Sequence, residues 1–440
     1  MEYSRLQRIL GLALPIIGGM ISQNVLNLVD TAMVGTLGNA ALAAVGVGGF
    51  ALFMCQALIL GISTGVQATA SRRKGEGGYA LLALPLNAGL ALVLLVAPPL
   101  SLLLFVLAPY FFPFLNGDSE VIAQGVPYLQ IRLLSMVFIG INFAFRGYWN
   151  AVDLSRLYMT TLVVMHAANI LLNYVFIFGK FGVPALGVAG AGLASLIATA
   201  LGTAIYFYLG LKHARSSGFL TARPDPGVMM TLARLSIPTG LQQFFFAAGF
   251  LVTYWIIGRI GTAELAAANV LVNITLVAIL PGLGLGLAAA TLVGQALGRH
   301  DVEEATRWGW EVSRVAMLGL TVLGVPMWLF PDLLLSGFIH DPETLDLARM
   351  PMQLVGATMI FEALGLVLMQ ALLGAGDATR VMVVAITMQW VVFLPLAYIA
   401  GPVFGLGLLG IWVLQGLYRL FQSLIFVGFW HRRRWAAVKV

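Results

Sequence analysis

A carboxylic acid lies inside an apolar stretch near the start of the chain, and two amides share its helix face. Gln23, Asn27 and Asp30 are spaced by four and three residues, which places them on one side of a helix. Apolar surroundings favour the neutral form of a carboxyl group, so Asp30 could load and release a proton. With oxygen-bearing neighbours it could instead hold a hard cation such as Na⁺. The alternative is a carboxylate that only packs against neighbouring helices.

A second polar face with similar spacing occurs later in the chain. His166, Asn169 and Asn173 are separated by three and four residues. The amides could supply oxygens to a cation or donors to the first carboxylate, although asparagine in a membrane also simply holds helices together. The histidine titrates near neutral pH when unperturbed, or it is a neutral packing residue. Ser195 and Thr199, one turn apart, could complete the cluster or pack as small residues.

The second half of the chain offers fewer ionisable candidates. Glu362 is its deep carboxylate and a second candidate site, or a buried acid paired with an amide such as Gln389. Gln242 and Phe246 belong to an aromatic stretch that could line a cavity for flat ligands or serve only for packing. Arg419 is placed towards a cytoplasmic helix end, where its side chain can reach the interface, so we assign it no chemistry.

The composition is that of a membrane protein. Of 440 residues, 60% are hydrophobic and only 10% are charged, which excludes an ordinary soluble fold. The apolar runs lack strand alternation, so they predict helices rather than a barrel, and the length allows about a dozen spans. We predict an all-α integral membrane protein with twelve transmembrane helices near 12–36, 42–70, 80–108, 121–149, 158–179, 187–211, 234–258, 265–297, 310–331, 347–375, 380–401 and 405–430.

The two halves of the chain resemble each other. Residues 12–36 align without gaps on residues 235–259 at an offset of 223, and Pro15 meets Pro238. Thr253 stands at the position of the first-span carboxylate, so that site is not duplicated. Parallel repeats are an architecture of secondary transporters, with the substrate site between the halves. The expected division is an N-lobe at 1–211, a cytoplasmic linker at 212–233 and a C-lobe with a basic tail at 234–440.

The distribution of basic residues predicts the orientation. Clusters such as 72–74 and 432–434 fall on the side of both termini, whereas the opposite loops hold Lys180 and Arg259 and several acids. The positive-inside rule therefore places both termini in the cytoplasm, and we expect a multi-pass protein of the bacterial inner membrane. The basic tail is interpreted as a topology anchor, so no nucleic-acid partner is expected. The bilayer is the expected partner, and the chain is expected to be a monomer.

Several function classes lack their motifs. No GxxxxGK[ST] loop for ATP hydrolysis, no HExxH, no nucleophile elbow and no TVGYG-like filter occurs in the sequence. We therefore predict neither an enzyme nor a cofactor, and no metal site apart from a Na⁺ site that Asp30, Asn169 and Asn173 could form.

Several stretches resemble the MATE family of multidrug and toxic compound extrusion transporters. The most specific is LALPIIGG…Q…LVDTAMVG in the first span, supported by TLVGQALGRHD at 291–301 and QALLGAGDATR at 370–380. The resemblance covers nearly the whole chain. It implies two six-helix lobes around a central cavity that opens alternately to either side. It also implies export of organic cations and drugs in exchange for H⁺ or Na⁺.

The resemblance assigns roles to particular positions. Asp30 resembles the family's first-span carboxylate, which binds the coupling ion, and Asn169 and Asn173 resemble its fifth-span polar pair. Asn173 is a departure because many members have Asp there. Glu362 matches the tenth-span acid of the Na⁺-linked branch, but Phe246 stands where that branch has its seventh-span acid. These departures favour H⁺ over Na⁺ as the coupling ion.

Two other functions remain open from the sequence. The first is a lipid-linked oligosaccharide flippase of the same broader superfamily, which would need cations in its cavity for a pyrophosphate group. The second is a polytopic membrane enzyme, which would need acids or histidines clustered at an interface; no such cluster is obvious in the sequence.

Overall fold

The computed structural model describes residues 2–440, and all regular elements in that range are helices. The main helices, in chain order, are α1 Tyr3–Gly35, α2 Asn39–Gly75, α3 Leu84–Leu115, α4 Ser119–Leu134, α5 Met136–Ala151, α6 Ser155–Phe178, α7 Gly187–His213, α8 Pro226–Gly258, α9 Thr262–Ala278, α10 Leu280–Gly298, α11 Val302–Leu329, α12 Pro331–Leu335, α13 Pro342–Gly374, α14 Ala378–Val403 and α15 Gly407–Arg432.

The number of membrane spans agrees with the sequence. Across residues 2–440, eleven helices are long and apolar enough to cross a bilayer, and the bent pair of α4 and α5 raises the number to twelve. The predicted all-α membrane fold is therefore confirmed. Several helices are longer than the predicted spans because polar residues at both ends continue the helix. The α1 helix begins at Tyr3 and α8 at Pro226, each eight residues or more before its predicted span.

Helix bounds repeat along the chain at the offset that the sequence predicts. The starts of α1 and α8 are 223 residues apart, and so are their ends. The same shift takes the start of α2 to the start of α9, and its end to the end of α10. The break between α9 and α10 at Ile279 has no counterpart in α2. Pro281 explains it, because proline lacks the backbone donor that would continue the helix.

The helices form two compact units. The first unit is Gly18–Phe244, and the second unit is the chain up to Ile17 together with Phe245–Val440. The unit boundaries therefore lie inside α1 and α8, whereas the sequence placed the division in a linker at 212–233. Part of that stretch is helical, since α8 begins at Pro226. The opening half of each repeat's first helix belongs to the unit that holds most of the other repeat.

Close contacts at glycine residues explain why the opening half of each of these helices packs within the unit of the other repeat. In the first unit, a methyl group on Gly61 of α2 would lie 2.0 Å from the backbone oxygen of Ser236 in the opening half of α8. In the second unit, the equivalent Gly284 of α10 lies against the opening half of α1, where a methyl group would meet Ile17 Cγ1 at 2.3 Å. At Gly61 only a residue without a side chain allows the two backbones to approach so closely, whereas at Gly284 the missing side chain leaves room for that of Ile17.

An ionic cluster holds the first turns of α1 within the second unit. Arg5 donates to Glu304 at 2.7 Å and to Glu311 at 2.5 Å, both on α11. Its guanidinium group also lies 3.6 Å from the centroid of the Trp308 ring. The cation therefore has two carboxylates and an aromatic face, a combination that fixes the side chain in one geometry.

The α14 helix contains two π-helical segments, Thr387–Phe393 and Ile399–Val403. Pro395 and Pro402 lack the backbone donor that an α-helical ladder requires. The register changes accordingly, and the N–H of Phe404 donates to the carbonyl of Ile399, five residues back, at 2.8 Å. Such wide turns are common near functional sites because they change the direction in which neighbouring side chains point.

We predict that Gly61→Ala destabilises the first unit. The added methyl group would overlap a backbone oxygen, and overpacking of this kind costs about 1–3 kcal/mol. Thermal unfolding of the purified protein in detergent should show a lower midpoint and a lower folded yield.

Gly49→Ala is the matched control on the same helix, because nothing lies within 4 Å of the methyl group it would add. Alanine there should be neutral or slightly stabilising, since it is the better helix former. Equal unfolding midpoints for the two variants would contradict the proposed close approach.

Candidate functional site

The first-span carboxylate contacts the buried asparagine that the sequence placed opposite it. The Nδ2 atom of Asn173 on α6 lies 2.5 Å from Oδ1 of Asp30 on α1. Asn173 is fully buried and Asp30 is half-buried. Two helix faces that the residue spacing predicts therefore meet each other. An amide donor on one carboxylate oxygen is the arrangement expected for an ionised acid in an apolar environment.

His166 joins the remaining polar residues of the two faces. Its Nε2 atom lies 3.1 Å from Gln23 Oε1, and its Nδ1 atom lies 2.5 Å from the hydroxyl of Ser22. Gln23 in turn donates to Asn27 Oδ1 at 3.0 Å. The side chains of Gln23 and Asn27 are exposed, whereas His166 is buried. Ser22 was missed from the sequence, since a single serine in an apolar run carries no distinctive spacing.

The α7 helix closes the cluster from a second side. Asn169 donates to the Ser195 hydroxyl at 3.3 Å. Thr199 donates to the backbone carbonyl of Ser195 at 2.6 Å, so its hydroxyl is used within its own helix. Its carbonyl accepts from Asn142 of α5, which the sequence analysis did not select. Asn142 extends the polar network away from the carboxylate.

Two amide oxygens in this cluster are buried without a hydrogen-bond partner among residues 2–440. They are Oδ1 of Asn169 and Oδ1 of Asn173. Buried polar atoms usually have partners, so two orphaned acceptors one turn apart on α6, one of them on the residue that contacts Asp30, mark a place where a donor or a cation can be received. A protonated Asp30 would supply such a donor. Na⁺ would find one carboxylate and two amide oxygens there.

A positive charge that the sequence analysis overlooked acts on this carboxylate. Arg132 of α4 interacts electrostatically with Asp30, but within residues 2–440 it forms no ion pair with it. The Nε atom of Arg132 is buried and has no hydrogen-bond partner in that range. An arginine within a membrane span is a signal in itself.

The deep acid of the second unit has a different partner from the one predicted. Glu362 of α13 forms a bidentate ion pair with Arg419 of α15, whose Nε lies 2.9 Å from Oε2 and whose Nη2 contacts Oε1. Gln389 does not pair with it; its amide lies 3.4 Å from the carbonyl of Phe246. The assignment of Arg419 to an interface was therefore wrong. A buried carboxylate makes it more favourable for the guanidinium to remain inside.

Positions equivalent to the polar cluster surround a cavity in the second unit. Phe246, Phe250 and Thr253 stand where the first repeat has glutamine, asparagine and aspartate, and Gln389 of α14 lies against the first of them. All four second-repeat residues line a cavity of about 240 Å³. Gln242, which the sequence grouped with Phe246, does not line it and is buried in the first unit.

The match to a family model decides the family. The MatE model matches residues 15–175 and 238–399, one stretch in each repeat. The chain belongs to the MatE family. This confirms the family that the first-span motif indicated. It also accounts for the alignment of the two halves, since both contain the same matched region.

Curated relatives of this MatE chain are named as multidrug resistance proteins. A probable multidrug resistance protein NorM of Thermotoga maritima is 27% identical, covering 98% of this chain and 93% of the relative. The one from Pseudomonas aeruginosa is 28% identical over 92% and 85% of the two chains. Multidrug resistance protein MdtK of Yersinia pseudotuberculosis is 26% identical over 89% and 87%. These relatives are transporters, which confirms the prediction that the chain is not an enzyme.

Solved structures of MATE proteins share the fold. An outward-facing multidrug resistance MATE family transporter has a TM-score of 0.90 at 20% identity, covering 99% of this chain and 97% of its own. A transporter of the MOP superfamily from Pyrococcus furiosus, whose binding pocket is described as having reverse polarity, has a TM-score of 0.88 at 20% identity, with 98% and 96% covered. At this identity the likeness concerns the fold alone.

We predict that Asn173→Ala weakens transport by this MatE protein more than Asn169→Ala does. Asn173 contacts the carboxylate directly, whereas Asn169 contacts a hydroxyl. Hydrogen bonds between membrane helices contribute about 0.6–2 kcal/mol, so the Asn173 variant should lose about 3- to 30-fold in rate. Dye transport in proteoliposomes at matched protein density measures this order. The reverse order would contradict the role given to Asn173.

Proposed function

We propose that this chain is a secondary multidrug efflux transporter that exports organic cations in exchange for H⁺ by alternating access. Asp30 carries the proton in this proposal. The observation that supports it most strongly is the contact of Asp30 with Asn173 in the first unit, beside two unpartnered amide oxygens. The names of the relatives support multidrug substrates for this chain as well.

The amide neighbours suit an acid that changes its protonation state. A carboxylate only accepts hydrogen bonds, whereas a protonated acid also donates one. Asn173 offers a donor to the ionised form through Nδ2, and the orphaned oxygens of Asn169 and Asn173 offer acceptors to the protonated form. Both protonation states of Asp30 can thus find hydrogen-bond partners among the neighbouring amides.

Antiport follows from a single exchangeable charge. Asp30 is the one carboxylate of the polar cluster, and it can be neutralised either by a proton or by a substrate cation. The two ligands therefore compete, so binding of one favours release of the other. Arg132 supplies a fixed positive charge near the site, which further disfavours holding two cations at once.

The donor set supports H⁺ more than Na⁺. Na⁺ must exchange its hydration shell for several hard oxygen ligands, and this cluster offers one charged group with neutral amides. A proton needs only the carboxyl group and an acceptor.

The alternative functions have less support. A lipid-linked oligosaccharide flippase would need several free cations for a pyrophosphate group, but Arg419 is taken up by Glu362 and Arg132 interacts electrostatically with Asp30. We place the protein in the bacterial inner membrane with both termini in the cytoplasm, on the basis of its basic loops. A monomer suffices for the proposed activity because one chain carries both repeats.

We predict that Asp30→Asn abolishes coupled efflux while expression and membrane insertion remain normal. The amide is nearly isosteric with the acid, but it cannot exchange a proton or carry charge. Dye efflux driven by a pH gradient in inverted vesicles measures the effect. Glu120→Gln, the same type of substitution at an exposed residue, serves as the control and should leave efflux unchanged. Efflux at the wild-type rate in the Asp30 variant would refute the assignment.

We further predict that a proton gradient alone drives efflux and that a Na⁺ gradient at clamped pH does not. Asn173→Asp adds a second carboxylate beside Asp30 and should create a response to Na⁺, because two charges offset more of the ion's dehydration cost. Imposing the two gradients separately on vesicles of wild-type and variant protein tests both points. Wild-type efflux that follows only the Na⁺ gradient would show that the coupling ion was misidentified.

A further inference from the structure

The second unit contains a cavity that the proposed proton site does not use. It lies among α9, α13, α14, α15 and the part of α8 that follows Phe244, so its lining residues all belong to that unit, and it has a volume of about 240 Å³. Drug-sized sites usually span about 300–1,000 Å³, so this one suits a small ligand. It occupies the place in the repeat that the polar cluster occupies in the first unit.

Aromatic side chains form a large part of the cavity lining. Phe246 and Phe250 pack edge to face with ring centroids 5.0 Å apart, and Phe393 stacks on Tyr418 at 4.9 Å. Trp412 adds a further ring to the lining. Because the rings are fixed in two pairs, their remaining faces and edges are available to a planar ligand. Aromatic groups prefer offset-stacked or edge-to-face contacts, and these rings allow both.

The polar end of the cavity carries no net charge. Glu362 and Arg419 line it and neutralise each other through two hydrogen bonds, and their side chains are only 14% and 21% exposed. Gln422 accepts a further bond from Arg419 at 3.1 Å. A monovalent cation would have to compete with this guanidinium for the carboxylate, and bidentate pairs of this type are among the strongest hydrogen-bonded contacts in proteins.

We propose that this cavity is a second ligand site, for flat aromatic molecules without net charge, and that Arg419 is the residue that excludes monovalent cations. A neutral ring system can occupy the cavity and leave the ion pair of Glu362 with Arg419 intact. A zwitterion fits as well, because guanidinium has five N–H donors and the contacts to Glu362 and Gln422 use three of them. Of the remaining donors, one contacts Tyr418 and the other can donate to a ligand carboxylate, while Glu362 can accept from the ligand's ammonium group.

This site differs from the proton site in the chemistry it selects. The first unit presents one carboxylate with amides and accepts a positive charge. The second unit presents aromatic rings and a neutralised carboxylate. The inference therefore does not depend on which ion drives transport, and it would stand even if Asp30 were not the coupling residue.

The test measures equilibrium binding to purified, detergent-solubilised protein in an Asp30→Asn background, which removes the cation site of the first unit. Three planar probes of similar size are compared: aminoacridine as a monocation, aminoacridine carboxylic acid as its zwitterionic analogue, and acridone as a neutral molecule. Two protein variants are compared with this parent. The first is Arg419→Gln, and the second is the double variant Glu362→Gln with Arg419→Gln, in which the cavity again carries no net charge.

The parent should bind the zwitterion more tightly than acridone, and both at least tenfold more tightly than the monocation. Arg419→Gln should reverse the preference by exposing the carboxylate. The double variant should keep acridone binding and lose the advantage of the zwitterion over it. Thr358→Phe, which adds a ring to the cavity lining, should weaken binding of all the probes that the parent binds.

Arg419→Gln leaves a buried carboxylate unpaired, so the double variant keeps the test decisive if the single variant does not fold. Tight binding of the monocation by the parent would overturn the proposal. The same holds if the double variant keeps the parent's preference for the zwitterion over acridone, or if Thr358→Phe leaves the binding of all three probes unchanged.

Discussion

One carboxylate in an apolar environment is the constraint on which the proposed chemistry of this protein depends. Asp30 must be stabilised as an anion and must also be able to lose its charge. Asn173 supplies a donor, the orphaned amide oxygens supply acceptors, and Arg132 supplies an opposite charge that does not form an ion pair. A direct ion pair, such as the one that Glu362 forms with Arg419 in the second unit, would oppose the loss of charge that the proposed exchange requires of Asp30.

The duplicated fold has thus given two different environments from one helix arrangement. In the first repeat α1 contacts α6, where His166 bonds to Gln23. In the second repeat α8 contacts α14, where Gln389 bonds to the backbone carbonyl of Phe246. Each contact joins residues that are 143 positions apart. In the first unit these positions carry polar groups and an exchangeable acid. In the second unit aromatic rings and a compensated acid form a cavity. Symmetry of the backbone does not impose symmetry of function.

Helix spacing made much of this predictable from sequence. It identified the all-α fold, the repeat offset and the two polar faces that meet at Asp30 and Asn173. Other contacts between distant segments were not predictable, because no local pattern encodes them. The pairing of Glu362 with Arg419 depends on how α13 packs against α15. The division of α1 and α8 between units depends on close approach at Gly61 and Gly284.

The most direct measurement is proton release when a substrate cation binds to the purified protein. Ethidium, a permanent aromatic cation, is added to weakly buffered detergent solution at mildly acidic pH, and a pH indicator records the protons released. The account predicts about one proton released for each ethidium bound by the wild-type protein, and none for Asp30→Asn. Equal release by both proteins, or binding to wild type without release, would contradict it.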